Sequence, residues 1–316
     1  MRVHRKFLFA LFAAAMTAVV SPPPLHAVVV VDDSFTDGGR NDGADPLDAN
    51  WWTSSASSGI EVAPGSLGMV SGTAGRGIHA IFPTQTLANI GDSLTATYTF
   101  TTPATVGGGS GSGAFRVGLF DTLGRAGLNA DISASAAAPN AVYGLHSAGT
   151  TGLPGYMMDM DVATGTEDLS FRQLDTPINT TAQTPTGRLM GTTVGFTQIT
   201  PTGPDGVYAF APNTQYAGSL TVTRLNATDY TITGTLTTPA GTTTHSVTDT
   251  FDSDSFGMLA FWANSNIFGS SATPNTPDNG IDFSNVKIEY TSVPEPASLS
   301  VLLLAYGLVA RRSRRQ

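Results

Sequence analysis

The chain has 316 residues, 15 Lys plus Arg against 24 Asp plus Glu, and no cysteine, which excludes disulfide staples, zinc–thiolate sites and cysteine nucleophiles. Seven of the basic residues and one of the acids lie in the first 27 and last 25 positions, so residues 28–291 carry 8 basic and 23 acidic side chains, a net of −15. Such a surface repels nucleic acid and anionic lipid, so neither is expected as a partner, and it attracts cations such as calcium.

Arg2, Arg5 and Lys6 precede an unbroken apolar run from Phe7 to Val20, and Ser21-Pro22-Pro23-Pro24-Leu25-His26-Ala27 follows as a helix-breaking stretch ending in a small residue. These are the three regions of a secretory signal peptide, with cleavage by signal peptidase expected after Ala27. The run falls short of the about 20 apolar residues of a stable span, so residues 1–27 are expected to form a signal helix that is removed.

The body opens with Asp32, Asp33, Asp37, Asp42, Asp45 and Asp48 crowded into one stretch. Their spacing is not that of an EF-hand loop, and a solvated acidic loop is expected ahead of a calcium site. Trp51 and Trp52 come next. Neighbours in an extended chain face opposite ways, so at least one of the pair belongs to the core, while an outward ring could stack on a sugar.

Strand patterns then run through the body. Leu94-Thr95-Ala96-Thr97-Tyr98-Thr99-Phe100 puts apolar residues at every second position and threonine between them, giving one core face and one wet face. Ala114 to Phe120 repeats the alternation after a Gly-Ser tract at 107–113 that reads as a loop. Leu220 to Arg224 and Tyr230 to Leu236 flank the polar turn Asn226-Ala227-Thr228-Asp229 and read as a hairpin. Phe256 to Trp262 is apolar on both faces and reads as a central strand covered on each side, with Trp262 in the core rather than on a ligand platform. Val286 to Tyr290, introduced by Ile281-Asp282-Phe283, closes the body. No long 3.6-residue amphipathic run occurs, so the class is all-β, a two-sheet β-sandwich over 28–291.

This order of elements, from Val31-Asp32-Asp33-Ser34-Phe35 at the start to Ile281–Ile288 at the end, resembles the concanavalin/laminin-G jelly roll of bacterial surface proteins. The resemblance implies that the first and last strands pair. It also nominates Asp33 and Asp282 for a structural calcium between the first loop and the last strand. No other cofactor is expected.

Some glycanases with that jelly roll carry Glu-x-Asp-x-x-Glu on one strand, because residues i and i+2 share a face and a retaining mechanism needs two carboxyl groups about 5 Å apart. The nearest approach is Asp159-Met160-Asp161 with Thr164 in the third acid's place, an incomplete set expected to be two solvated aspartates at a strand edge or loop. No histidine pair has ligand spacing, and Gly109-Ser110-Gly111-Ser112-Gly113 reads as loop rather than nucleophile elbow. The chain is therefore read as non-catalytic. The binding alternative rests on Trp51, Trp52 and Trp262 as stacking candidates.

The tail, 292–316, contains Pro294-Glu295-Pro296, an apolar stretch from Ala297 to Ala310, and Arg311-Arg312-Ser313-Arg314-Arg315. As a helix the apolar stretch is about 21 Å long against a hydrocarbon core of about 30 Å, a weak span whose arginines hold the C-terminus on the cytoplasmic side. These three parts in this order resemble the PEP-CTERM sorting signal. That resemblance implies recognition of Pro294, Glu295 and Pro296 by a membrane-embedded exosortase and only transient anchoring in the inner membrane. The sequence thus points to an exported cell-surface or extracellular-matrix protein whose jelly roll associates with extracellular polysaccharide. The alternatives are a glycan-active hydrolase or lyase of the same fold and a purely structural surface scaffold.

Overall fold

The computed structural model describes residues 25–41, 45–53, 59–70, 75–107, 114–124, 129, 131, 153–161, 168–174, 190, 196–199, 209–251, 253–264, 267–268 and 280–293. Residues 1–24 of the leader, 294–316 of the sorting tail and most of the Gly-Ser tract lie outside these, whereas the end of the leader, His26 and Ala27, belongs to the first strand. Among the described residues no helix is long and apolar enough to cross a membrane.

The strands are β1 (His26–Asp33), β2 (Asn50–Thr53), β3 (Ile60–Ala63), β4 (Ser66–Val70), β5 (Arg76–Thr86), β6 (Ser93–Thr101), β7 (Ala114–Phe120), β8 (Gly155–Asp161), β9 (Asp168–Leu174), β10 (Thr197–Ile199), β11 (Gln215–Arg224), β12 (Asp229–Thr238), β13 (Gly241–Thr250), β14 (Ser255–Ala263) and β15 (Gly280–Ser292). They form two antiparallel sheets. Sheet A runs β13-β12-β11-β6-β15-β4-β3, with β1 also on β15, and sheet B runs β10-β9-β8-β7-β14-β5-β2. The expected two-sheet sandwich is what the chain forms. Its first and last strands pair from His26↔Ser292 to Asp33↔Val286.

The alternation in the sequence decides which face of each strand is buried. In β6, Leu94, Ala96, Tyr98 and Phe100 point into the sandwich, and β11, β12 and β15 contribute Leu220, Val222, Ile232, Leu236, Phe283 and Ile288 to the same layer. Sheet B answers with Phe115, Val117 and Leu119 of β7 and Leu259 and Phe261 of β14. Rings interlock across the gap. Phe261 lies 4.5 Å from Phe283 and 5.2 Å, edge-on, from Tyr98, and Phe115 lies 5.2 Å from Phe100. The Tyr98 ring is accommodated by Gly218, where any Cβ would run into it. Its hydroxyl has no hydrogen-bond partner among the described residues, and burial pushes its ionisation upward, so it sits in the core as a neutral group.

Sheet B is buried on its outer side as well. Met258, Ala260 and Trp262 of β14 pack there with Phe120, Met157, Leu174, Leu153 and Met190 in a second apolar cluster. That double burial is why Phe256 to Trp262 has no polar alternation. As expected, β14 is an interior strand, flanked by β5 and β7.

Both ends of the described sandwich are held together. The buried Asp92 carboxylate accepts from the N–H of Asn89 at 2.8 Å, the Tyr290 hydroxyl at 3.1 Å and the N–H of Val293 at 2.7 Å. With His26 opposite Ser292, the chain enters and leaves the sandwich at neighbouring points.

Candidate functional site

The acids and aromatics nominated from sequence fall mainly on sheet B and are distributed differently from expectation. β8 points Tyr156, Met158 and Met160 inward, so Met157, Asp159 and Asp161 face out. Asp159 is not a solvated residue at an edge or loop. It lies in mid-strand, is 7% exposed, and gives one carboxylate oxygen to Arg116 Nε at 2.7 Å and the other to Arg172 Nε at 2.9 Å. Arg116 is its register partner on β7, and Arg172 sits on β9 opposite Met157, so one strand on each side supplies a guanidinium. The same Arg116 also donates through Nη1 to the carbonyl of Met190, tying that residue to the face. A carboxylate gripped by two guanidiniums is a structural anchor, and neither oxygen is placed to attack or protonate a ligand.

The tryptophans divide. Trp51 is fully buried, donates from Nε1 to Asp33 Oδ2 at 2.8 Å, and lies 6.2 Å from Phe261. Trp262 is 2% exposed in the outer cluster of sheet B. Only Trp52 is half-exposed, with its ring stacked 5.7 Å from that of buried His79 on β5. The three rings therefore do not form a shared platform.

Asp33 and Asp282 are not brought together. Asp33 pairs with Val286 of β15, whereas Asp282 lies further toward the start of that strand, opposite Gly68 of β4 and Thr101 of β6. The Asp33 carboxylate is turned inward, where it accepts from the N–H of Phe35 at 2.9 Å, the N–H of Ala49 at 3.3 Å and Trp51. These three bonds close the turn between β1 and β2. No group of three or more metal-ligating side chains occurs among the described residues. Pro294, Glu295 and Pro296 lie outside them.

The outer face of sheet A is different in kind. Across β6, β11, β12 and β13 the register sets Thr99, Ala217, Thr237 and Thr242 in one row and Thr97, Ser219, Thr235 and Thr244 in the next. Thr95, Thr221, Thr233 and Ser246 follow, then Ser93, Thr223, Thr231 and Thr248. Fifteen of these sixteen positions carry a hydroxyl, none is charged and none is buried. Sheet geometry spaces the hydroxyls about 4.8 Å apart between strands and about 6.8 Å apart along them.

Neighbouring hydroxyls pair. Thr95 meets Thr221 at 3.0 Å, Ser219 meets Thr235 at 2.7 Å, Thr233 meets Ser246 at 2.8 Å, and Thr237 meets Thr242 at 2.8 Å. Each such pair uses one donor and one acceptor; in the Thr95–Thr221, Ser219–Thr235 and Thr237–Thr242 pairs a second donor and further lone pairs remain, whereas Ser246 also donates to the carbonyl of Ile232 at 3.4 Å. The threonines were visible strand by strand in the sequence; the lattice arises only once four registers are aligned.

Two outcomes follow for the acids. Asp159→Asn leaves two guanidiniums sharing one neutral oxygen and is expected to lower unfolding free energy by about 3–5 kcal/mol, the usual cost of breaking a buried ion pair. Urea unfolding reads this, and an unchanged midpoint would contradict the anchor role. For Asp33, burial raises the carboxyl above its ordinary 3.8, outweighing the hydrogen bonds from Trp51, Phe35 and Ala49, which act the other way. A raised acid contributes stability that is complete below the unfolded value and is lost as pH rises through the folded one. The stability gap between the native chain and Asp33→Asn should therefore narrow as pH climbs from 3.8. Unfolding curves across a pH series check it, and a gap that widens refutes it.

No family model and no curated protein matches this chain. Solved structures with a similar strand layout include peanut lectin in complex with a nine-residue peptide, at 7% identity and a TM-score of 0.44, covering 86% of this chain and 100% of that one. An endo-1,3-β-glucanase from Streptomyces sioyaensis matches at 11% identity and a TM-score of 0.44, covering 86% of this chain and 99% of its own. Lectin I from Ulex europaeus matches at 10% and 0.41, covering 85% and 98%. Likenesses at this level carry nothing about ligand or reaction.

Proposed function

We propose that this chain is an exported, non-catalytic surface or matrix protein that associates with extracellular polysaccharide through the outer face of sheet A. The observation that carries the reading is the hydroxyl lattice on β6, β11, β12 and β13. Polysaccharide hydroxyls both donate and accept, so a glycan lying on such a face exchanges water contacts for equivalent ones with few groups left unpaired. The side-chain pairing already restricts the threonine rotamers, which lowers the ordering cost of binding.

The face has no exposed aromatic ring among its lattice positions, so each contact is weak. Useful affinity comes from many contacts along one polymer. A net charge of −15 on 28–291 favours a neutral or cationic polymer over an anionic one. Twist in the sheet suits a flexible chain better than a flat, rigid lattice.

Export belongs to the same reading. The leader carries the chain out, and the tail holds it until an exosortase acts at Pro294-Glu295-Pro296. Support comes from the neighbouring entry and exit points at Val28 and Tyr290, the first pair of β1 and β15 kept after cleavage, and from the bond of the Asp92 carboxylate to the N–H of Val293, the residue before the motif.

Affinity electrophoresis through gels containing neutral polysaccharides tests the binding. The native chain should be retarded, and a Thr221→Val, Thr233→Val, Thr235→Val variant should bind about tenfold or more weakly, since each lost hydrogen bond is worth about 0.5–1.5 kcal/mol. Valine keeps the β-branched shape that suits a strand, so the variant should still unfold in one cooperative transition even though three side-chain pairs are lost. Retardation by none of the polysaccharides would overturn the proposal. Mass spectrometry of the chain recovered from an expressing cell's surface should show a start near Val28 and no Leu299–Gln316; a retained tail would replace temporary anchoring with permanent attachment.

A further inference from the structure

Beside the hydroxyl lattice, at the β3 edge of sheet A, lies a cleft of about 570 Å³ lined by Glu61, Val62, Ser66, Gly68 and Asp282 among others. That volume falls in the range of about 300–1,000 Å³ typical of small-molecule sites. Its floor follows from register. Glu61 of β3, Gly68 of β4 and Asp282 of β15 are successive partners in one cross-strand row, which continues through Thr101 of β6 to Gln215 of β11. The two acids therefore face the same side with a glycine between them.

Gly68 is a shelf as well as a spacer. A Cβ there would stand 3.0 Å from Asp282 Oδ1 and 3.2 Å from the Glu61 Cβ, so the Asp282 carboxylate leans over the bare glycine toward Glu61. Ser66 adds a hydroxyl on the same face, while its register partner Ala63, two positions from Glu61, supplies an apolar wall. No cationic side chain lines the cleft among its described residues. Each carboxylate offers about four acceptor positions, so a contact made within the protein still leaves capacity for a ligand.

We propose that this cleft is a subsite for a sugar unit bearing a free, protonated amine, at the end of the polysaccharide path laid out by the lattice. The proposal rests on the polysaccharide reading above and adds the class of sugar. The ammonium donates three hydrogen bonds into the space between Glu61 and Asp282, over Gly68. The C–H face of the ring packs on Ala63, and the polymer continues by way of Thr101 onto the hydroxyl rows. In a chain of such strong acidity, a cationic glycan is also the polymer drawn in at long range.

Calorimetric titration of the full chain with glucosamine oligomers and with the same oligomers fully N-acetylated tests it, at a pH where the free amine is protonated and carboxylates are ionised. The free-amine oligomer should bind about tenfold or more tightly, as expected of charge-assisted hydrogen bonds, and added salt should shrink the difference. Glu61→Gln with Asp282→Asn should abolish the preference while leaving the N-acetylated oligomer's affinity in place. Gly68→Ala, which fills the shelf, should reduce it with both acids retained. The lattice variant should weaken both oligomers alike.

Equal binding of both oligomers by the native chain, or a preference that survives the double substitution, overturns the amino-sugar subsite and leaves the lattice reading standing. Binding of neither oligomer overturns the subsite too, and the fate of the lattice reading is then decided by the neutral polysaccharide gels alone.

Discussion

Everything in this molecule depends on the aromatic layer clamped between its two sheets. With no cysteine to staple the strands, the sheets are joined by burial of Tyr98, Phe100 and Phe283 from one side against Trp51, Phe115 and Phe261 from the other. Large rings bury much area each, and their tilted and edge-on contacts add about 0.5–1.5 kcal/mol per pair beyond that burial. The close approach at Gly218 and the Tyr98 hydroxyl, unpartnered among the described residues, show how far shape dominates over polar satisfaction there.

Because that layer takes one face of every strand, the opposite faces are free to diverge, and the two sheets use the freedom differently. Sheet B covers its outer face with a second apolar cluster and fixes the Arg116–Asp159–Arg172 group within it. Charge at that point is neutralised by geometry and serves cohesion. Sheet A leaves its outer face wet, and there the alternate positions become an uncharged field of hydroxyls bordered by the Lys287–Glu289 pair. A surface of that kind neither aggregates through apolar contact nor attracts nucleic acid, and it can still bond to a hydroxyl-rich polymer.

The cleft at Glu61, Gly68 and Asp282 gives this otherwise uniform surface a distinctive end. Its two carboxylates come from strands more than two hundred positions apart, aligned by the same register that aligns the hydroxyl rows. In the proposed binding, a broad, weak face joined to one charged subsite would separate the two requirements of polymer recognition: avidity from repetition and selectivity from a single locus.

How much of this was legible in the residues varies with the range of the interaction. Period-two alternation in Leu94–Phe100, the Asn226–Asp229 turn, the two-sided apolarity of Phe256–Trp262 and the all-β class are local properties, because a side chain's face follows from its own position in the strand. The division of Trp51 from Trp52 follows by the same rule, although which one faced inward awaited the Phe261 contact. Asp159 defeated sequence reasoning because its environment is set by Arg116 and Arg172, 43 and 13 positions away. The pairing of Asp33 with Asp282 failed since strand register and facing separate them. Alone, then, the sequence determined which side of each strand is core and how acidic the body is. Only tertiary structure decided which outward residues become neighbours, since cross-strand register is a long-range property that aligns fifteen hydroxyls into a lattice and turns a lone glycine into the floor of a site.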